Sequence, residues 1–215
     1  MIRQLINRHR LRKLKQGSDS KYAQYLTAQY HRSILKAGRK NIVEANRKNF
    51  LVSVLRSRVN LKKVESALVI GCRDSRELDL LESCGVRKTV GIDLFSNDKR
   101  VRVMDMHDVQ FEDNCFELIY GSHVLEHALN FEKVLENIAR IIKPNGYLVI
   151  EVPTHFQPTI VDIHDFRDSD YLLGCISKYM IVSDVLYRED LTKGEDNNFC
   201  GTDLARLIIQ VAGKR

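Results

Sequence analysis

Residues 67–94, ALVIGCRDSRELDLLESCGVRKTVGIDL, read as a strand, a helix and a second strand. SALVIG at 66–71 is a short, unbroken apolar run, the pattern of a strand buried on both faces. SRELDLLESCG at 75–85 is amphipathic at helical spacing and stops at Gly85. KTVGIDL at 88–94 is strand-like again. Further along, RVRVMD (100–105) and FELIYG (116–121) continue the strand texture, and ALNFEKVLENIARII (128–142) is an amphipathic helix ending at Lys143-Pro144-Asn145-Gly146. YLVIEV (147–152), YMIVSDVLY (179–187) and ARLIIQVA (205–212) supply three more strands. Asp165–Asp170 and Thr192–Asn198 are expected as surface loops. Strand–helix alternation with a late pair of strands implies an α/β fold, its mostly parallel sheet covered on both faces.

The stretch before residue 64 differs. Residues 20–37 carry Tyr22, Leu26, Tyr30, Ile34 and Ala37 near helical spacing, and Gly38 is a plausible stop; 40–58 read as a second helix. Residues 1–16 form a short basic amphipathic pattern, broken by Gly17-Ser18-Asp19-Ser20. Residues 1–63 hold 17 Lys and Arg against Asp19 and Glu44, a balance of +15; the rest holds 17 basic and 26 acidic residues, a balance of −9. The organisation expected is a basic helical N-terminal extension, 1–63, on an α/β domain, 64–215.

The whole chain has 215 residues, 44% of them hydrophobic and 29% charged, which reads as globular. No apolar run approaches the ~20 residues of a membrane-spanning helix. Met1–Gln16 is charged throughout, so no secretory signal is expected. The five cysteines (72, 84, 115, 175, 200) form no CxxC pair, which argues against a zinc knuckle or a disulfide scaffold and fits a reducing, cytoplasmic setting.

In open α/β sheets, ligands sit beyond the carboxyl ends of the strands. Here those ends read Gly71-Cys72-Arg73-Asp74-Ser75, Asp93, Asp105 and Gly121-Ser122-His123. A glycine after the first strand lets backbone approach a ligand, and a carboxylate closing the second strand can accept both hydroxyls of a ribose. A carboxylate after the third strand can hold an exocyclic amine. The set has the shape of a nucleoside site.

Residues 66–152 resemble a class I S-adenosylmethionine-dependent methyltransferase of the small-molecule type. The resemblance is carried by ALVIGCRDSRE (67–77), VGIDL (90–94), VMDMHDVQFEDNCFELIYGSHVLEHALN (103–130) and ARIIKPNGYLVIEVP (139–153). It implies a Rossmann-like sheet of seven strands, the late pair completing it, and S-adenosyl-L-methionine as cofactor. Gly71, Cys72 and Arg73 would then line the methionine side, Asp93 and Leu94 the ribose, Asp105 and Met106 the adenine, and Ser122 the edge of the transfer site. The glycine-rich loop departs from the family pattern: Val69 stands for the acid, and Arg73 and Ser75 for the second and third glycines.

Methyl transfer needs alignment of acceptor and methyl group and a place for the acceptor's proton. His123, Glu126 and His127 fall within five residues, and on a helical turn they project to one side. His123 and His127 are the candidate bases, with Glu126 and His155 as candidate substrate contacts; the trio with His155 could also hold a divalent metal, but acceptor contact is the reading taken, with no metal. Asp162, His164 and Asp165 read as a solvated loop in preference to a lid over the acceptor, and Tyr22, Tyr25 and Tyr30 as a stripe packed on the sheet in preference to a base-stacking surface.

The expected partner is a small-molecule acceptor, methylated on a hydroxyl or amine, with a sugar or cell-envelope precursor as an example. Three roles compete for the extension: a cap over the acceptor site, a phosphate-binding arm for RNA methylation, and contact of residues 1–16 with an anionic membrane surface. Glu126-His127 beside a basic arm is also similar to small-RNA terminal 2′-O-methyltransferases, whose first ligand Glu would fall at His123. A catalytically silent binding protein of the same fold is a further alternative. Oligomeric state is not legible.

Overall fold

The computed structural model describes residues 9, 11, 12, 15, 16, 20–36, 42–198 and 200–215, with nothing said of the Ile34 and Lys36 side chains. Most of 1–16, its Gly17–Asp19 break and the Gly38 stop lie outside the described residues. The elements are helices α1 (Ser20–Lys36) and α2 (Ile42–Arg58), strand β1 (Ala67–Ile70), α3 (Arg76–Ser83), β2 (Thr89–Asp93), β3 (Val101–Val103) and β4 (Phe116–Ser122). There follow α4 (Phe131–Ile141), β5 (Ile142–Thr154), α5 (Ser169–Ile176), β6 (Met180–Leu191) and β7 (Asp203–Lys214).

The seven strands form one sheet in the order β3-β2-β1-β4-β5-β7-β6. β1 to β5 pair in parallel, and β7 runs antiparallel to both β5 and β6. β1 is buried along its whole length because apolar layers cover both faces of the sheet. One layer sets Leu135, Ile138 and Leu172 of α4 and α5 against Ile70, Ile119 and Ile150. The other sets Leu51, Leu55, Leu78 and Leu81 of α2 and α3 against Val69, Tyr120 and Val149. α2 is therefore part of the core on that face.

Three details depart from the periodicity. β5 begins at Ile142, since Asn145 takes φ +63° and the turn residues are absorbed as an irregularity where the pairing slips between Phe116 and Leu118. Ser169 starts a helix rather than continuing a loop, because the Asp168 side chain accepts from the Tyr171 amide and caps it. The tyrosines lie over loops instead of the sheet: Tyr30 meets Phe95 edge-on, and Tyr22 and Tyr25 meet His107.

The register aligns Ile70 with Ile92 and with Gly121. The carboxyl ends of β1, β2 and β4 thus share one edge, which places Gly71, Asp93 and Ser122 side by side.

Candidate active site

That edge opens into a cavity of about 550 Å³, floored by the strand ends and roofed by α1 and α2. Its two ends are built differently.

At the β1–β2 end, local backbone does the positioning. Gly71 takes φ +72° and its N–H bonds the Ile92 carbonyl at 2.8 Å; a Cβ there would sit 2.5 Å from Val124 Cγ2. Asp93 accepts from the Arg73 amide on Oδ2 (3.0 Å) and from the Phe95 amide on Oδ1 (2.9 Å). Burial pushes its carboxyl above the usual range, opposed by those amides and by Arg73. Arg73 itself adopts φ +57°, a conformation glycine takes freely, and its side chain turns towards Glu44 of α2, 4.0 Å away. Burial pushes the Cys72 thiol up, and its Sγ lies 3.7 Å from the Ile92 carbonyl. Leu94, Met104 and Met106 line the wall.

Asp105 is held by the His107 amide (2.9 Å), by His107 Nδ1 (2.6 Å) and by the Tyr22 hydroxyl of α1. His107 Nε2 accepts from the Asn130 amide at 3.3 Å, so the ring carries its hydrogen on Nδ1. The carboxylate expected at an exocyclic amine is thus reached by the roof.

At the β4–β5 end, charged side chains hold one another. Glu151 is fully buried; it accepts from Ser122 Oγ (2.8 Å) and from Arg206 Nε (2.7 Å), and Arg47 Nε of α2 lies 3.0 Å away. Arg206, also fully buried, bonds Glu189 and the Asn197 carbonyl and stacks on Phe50. His123 takes φ +53°, fixed by its N–H on the Glu151 carbonyl (2.8 Å), which holds its ring 3.6 Å from the Glu151 carboxylate.

His123, Glu126 and His127 do converge, but Glu126 and His127 sit on a 3₁₀ turn, Leu125–His127, rather than an α-helical one, and His123 precedes it. Glu126 is fully buried, with His127 Nε2 at 3.4 Å and His123 Nδ1 at 3.8 Å from its Oε1. His127 Nδ1 faces Asp162 Oδ1 (3.0 Å) and the Val161 carbonyl (3.2 Å). Arg32 of α1 bonds Asp162 at 2.5 Å. Partial burial opposes it, yet hydrogen bonds from His127 and Arg32 hold the Asp162 carboxyl well below its usual range.

Glu126, His127 and Asp162 bring ligand-type atoms within 4.8 Å of one another. Within it the Arg32 guanidinium already supplies a cation to Asp162, and Asp162 faces His127 Nδ1. Asp162, read as part of a solvated loop in preference to a lid, lines this wall and pairs with Arg32. His155, expected at the acceptor, is not among the residues lining the cavity: it is 63% exposed and pairs with Asp203. Arg32, Arg47 and Arg206 were not anticipated. Arg206 left a trace, as the only charged residue in the run ARLIIQVA.

A family model described as a methyltransferase domain matches residues 38–182. No curated protein sequence matches the chain. Among solved structures, the chain is similar to the 1,6-didemethyltoxoflavin-N1-methyltransferase of Burkholderia thailandensis, with bound 1,6-didemethyltoxoflavin and S-adenosylhomocysteine. The identity is 14% and the TM-score 0.67, over 91% of each chain. It is similar to the N-methyltransferase NodS of Bradyrhizobium japonicum with S-adenosylhomocysteine, at 15% identity and TM-score 0.58, covering 80% of this chain and 89% of that one. The cyclase SpnF matches at 15% identity and TM-score 0.58, over 75% and 80%.

Proposed function

Since the chain belongs to the methyltransferase-domain family, we propose that it transfers a methyl group from S-adenosylmethionine to a hydroxyl or amine of a small molecule held in the cavity. One observation carries this: a single roofed cavity of about 550 Å³ joins a nucleoside-shaped set of carboxylates to a pair of histidines. That volume falls in the range of small-ligand sites, and the roof encloses a compact acceptor better than a polymer. Neighbours of the same fold hold S-adenosylhomocysteine, and one holds its small-molecule substrate beside it.

The donor set fits the cofactor. Asp93, oriented by two backbone amides, retains lone pairs for the ribose hydroxyls. Leu94 would lie with Asp93 at the ribose, Met106 would flank the adenine, Asp105 would accept from its amine alongside Tyr22, and the Gly71–Arg73 loop and Ser122 would border the methionine end. When bound, the sulfonium supplies an activated methyl group. The protein's own work is to align the acceptor and receive its proton at His123 or His127. α1 closes the site from above. Among the described residues no helix is long and apolar enough to cross a membrane.

Calorimetric titration of S-adenosylhomocysteine into the purified chain tests the reading. Binding near the micromolar range is expected. A folded protein that takes up no heat at millimolar ligand would sink it.

A further inference from the structure

We infer that the acceptor is an amine which enters as an ammonium ion, and that Glu126 receives it. The inference rests on the methyl-transfer reading of the cavity and names the substrate class of that same site.

Glu126 is the exception among the cavity's acids. Glu44 and Glu77 bond Lys48, Asp93 and Asp105 accept from backbone amides, and Asp162 accepts from Arg32. Glu126 is completely buried, and neither of its carboxylate oxygens has a hydrogen-bond partner among the described residues. Its main chain is fixed, because the carbonyl accepts from Ile163 N (2.7 Å) and His164 N (3.1 Å). A buried carboxylate without donors is costly, and a fold that keeps one in a ligand cavity has placed it for a ligand. Burial pushes its pKa up, against the pull of His127 and Arg32 and with the push of Asp162.

The neighbouring histidines define what that ligand must bring. His127 Nδ1 lies against two acceptors, Asp162 Oδ1 (3.0 Å) and the Val161 carbonyl (3.2 Å), both nearer than the one donor beside it, Arg32 Nη1 (3.4 Å), and therefore carries hydrogen. In the neutral ring, Nε2 then presents a lone pair towards Glu126 Oε1, 3.4 Å away. Two acceptors face each other and call for a donor between them. A hydroxyl supplies one hydrogen and no charge. An ammonium supplies three hydrogens and the cation that lets a buried carboxylate stay ionised.

The chemistry balances on the residues present and the methyl sulfonium donor. The bound ammonium gives one proton to His127 Nε2, and the imidazolium lies between Glu126 and Asp162. The nitrogen lone pair forms the N–C bond as the S–C bond breaks, and that electron pair stays on sulfur. The N-methylammonium product remains cationic and keeps Glu126 as its partner, while His127 returns its proton to solvent.

The test uses the full chain with S-adenosylhomocysteine, titrated with amines and their hydroxyl counterparts in pairs: benzylamine and benzyl alcohol, tyramine and tyrosol, glucosamine and glucose. Methyl transfer from labelled S-adenosylmethionine is assayed on the same compounds. We expect the bound and methylated compounds to be amines. Glu126→Gln weakens amine binding about 10- to 100-fold, leaves S-adenosylhomocysteine affinity within about twofold, and makes the unliganded protein no less stable at pH 8. The inference is overturned by methylation of alcohols alone, by equal amine affinity in Glu126→Gln, by no amine binding across the panel, or by stoichiometric Mn²⁺ binding that Glu126→Gln abolishes. Absence of S-adenosylhomocysteine binding in the parent chain would instead remove the methyl-transfer reading beneath it.

Discussion

The two ends of the cavity solve the same problem, holding acids in a half-dry cleft, by opposite means. At the β1–β2 end, Asp93 leans on the backbone amides of Arg73 and Phe95, and Asp105 on the His107 amide as well as on the His107 ring and the Tyr22 hydroxyl. At the β4–β5 end, Glu151 and Asp162 depend on guanidinium groups from distant segments, namely Arg206, Arg47 and Arg32. Backbone amides cannot be mutated away, so Asp93 tolerates changes around it. The second end depends on side chains, each of which a single substitution can remove. The contrast separates what binds from what holds the site together.

The harshest trial of that contrast is Arg206→Leu. It leaves Glu151 and Glu189 without their buried partner, and a loss of about 3–5 kcal/mol in urea unfolding is expected. A loss below about 1 kcal/mol would mean that the buried pairs at this end hold little. Asp93→Ala should act the other way round: S-adenosylhomocysteine affinity falls about 100-fold by calorimetry, while the circular dichroism spectrum stays that of a folded protein.

Glu44 sharpens the comparison through pH. Burial works against it, but Lys48, Arg73 and Arg47 bring its pKa down to about 2 from 4.5. A depressed carboxyl stabilises the fold above its unfolded value, and this contribution disappears as pH falls from about 4.5 to 2. Allowing for its partial exposure, about 2 kcal/mol should be lost over that window. Thermal melts of Glu44→Gln should show a flatter acid limb; an unchanged limb would remove Glu44 from the roof's electrostatics. Smaller still, Gly71→Ala should cost about 1–2 kcal/mol from its left-handed backbone, with added crowding against Val124. A second change, Val124→Ala, should return the crowding part only. Full recovery in the double variant would show that backbone conformation contributes nothing there.

The same division explains what could be read in advance. Gly71, Asp93 and Asp105 were legible because strand ends and their following turns are local patterns, and the sheet's parallel register brings them to one edge. The convergence of His123, Glu126 and His127 was legible from spacing, although the turn is 3₁₀ and His123 stands outside it at φ +53°. The pairing of Asp162 was not legible because nothing near it in sequence points to Arg32. His155 was misjudged because ending a strand does not fix which way the next side chain turns. Residues 40–58 were legible as a helix, but only packing reveals that Leu51, Val52 and Leu55 complete the core on one face.

The roof also has a history within each molecule. Gln29 meets the Val161 carbonyl across 132 residues, and Arg32 meets Asp162 across 130. A ribosome releases α1 long before the segment it must clasp, and loop closure over such distances is slow. The sheet's parallel centre can form first, with the acceptor wall closing only when the last third of the chain arrives. Synthesis rate and early chaperone contact should therefore affect the yield of active enzyme more than the yield of folded sheet.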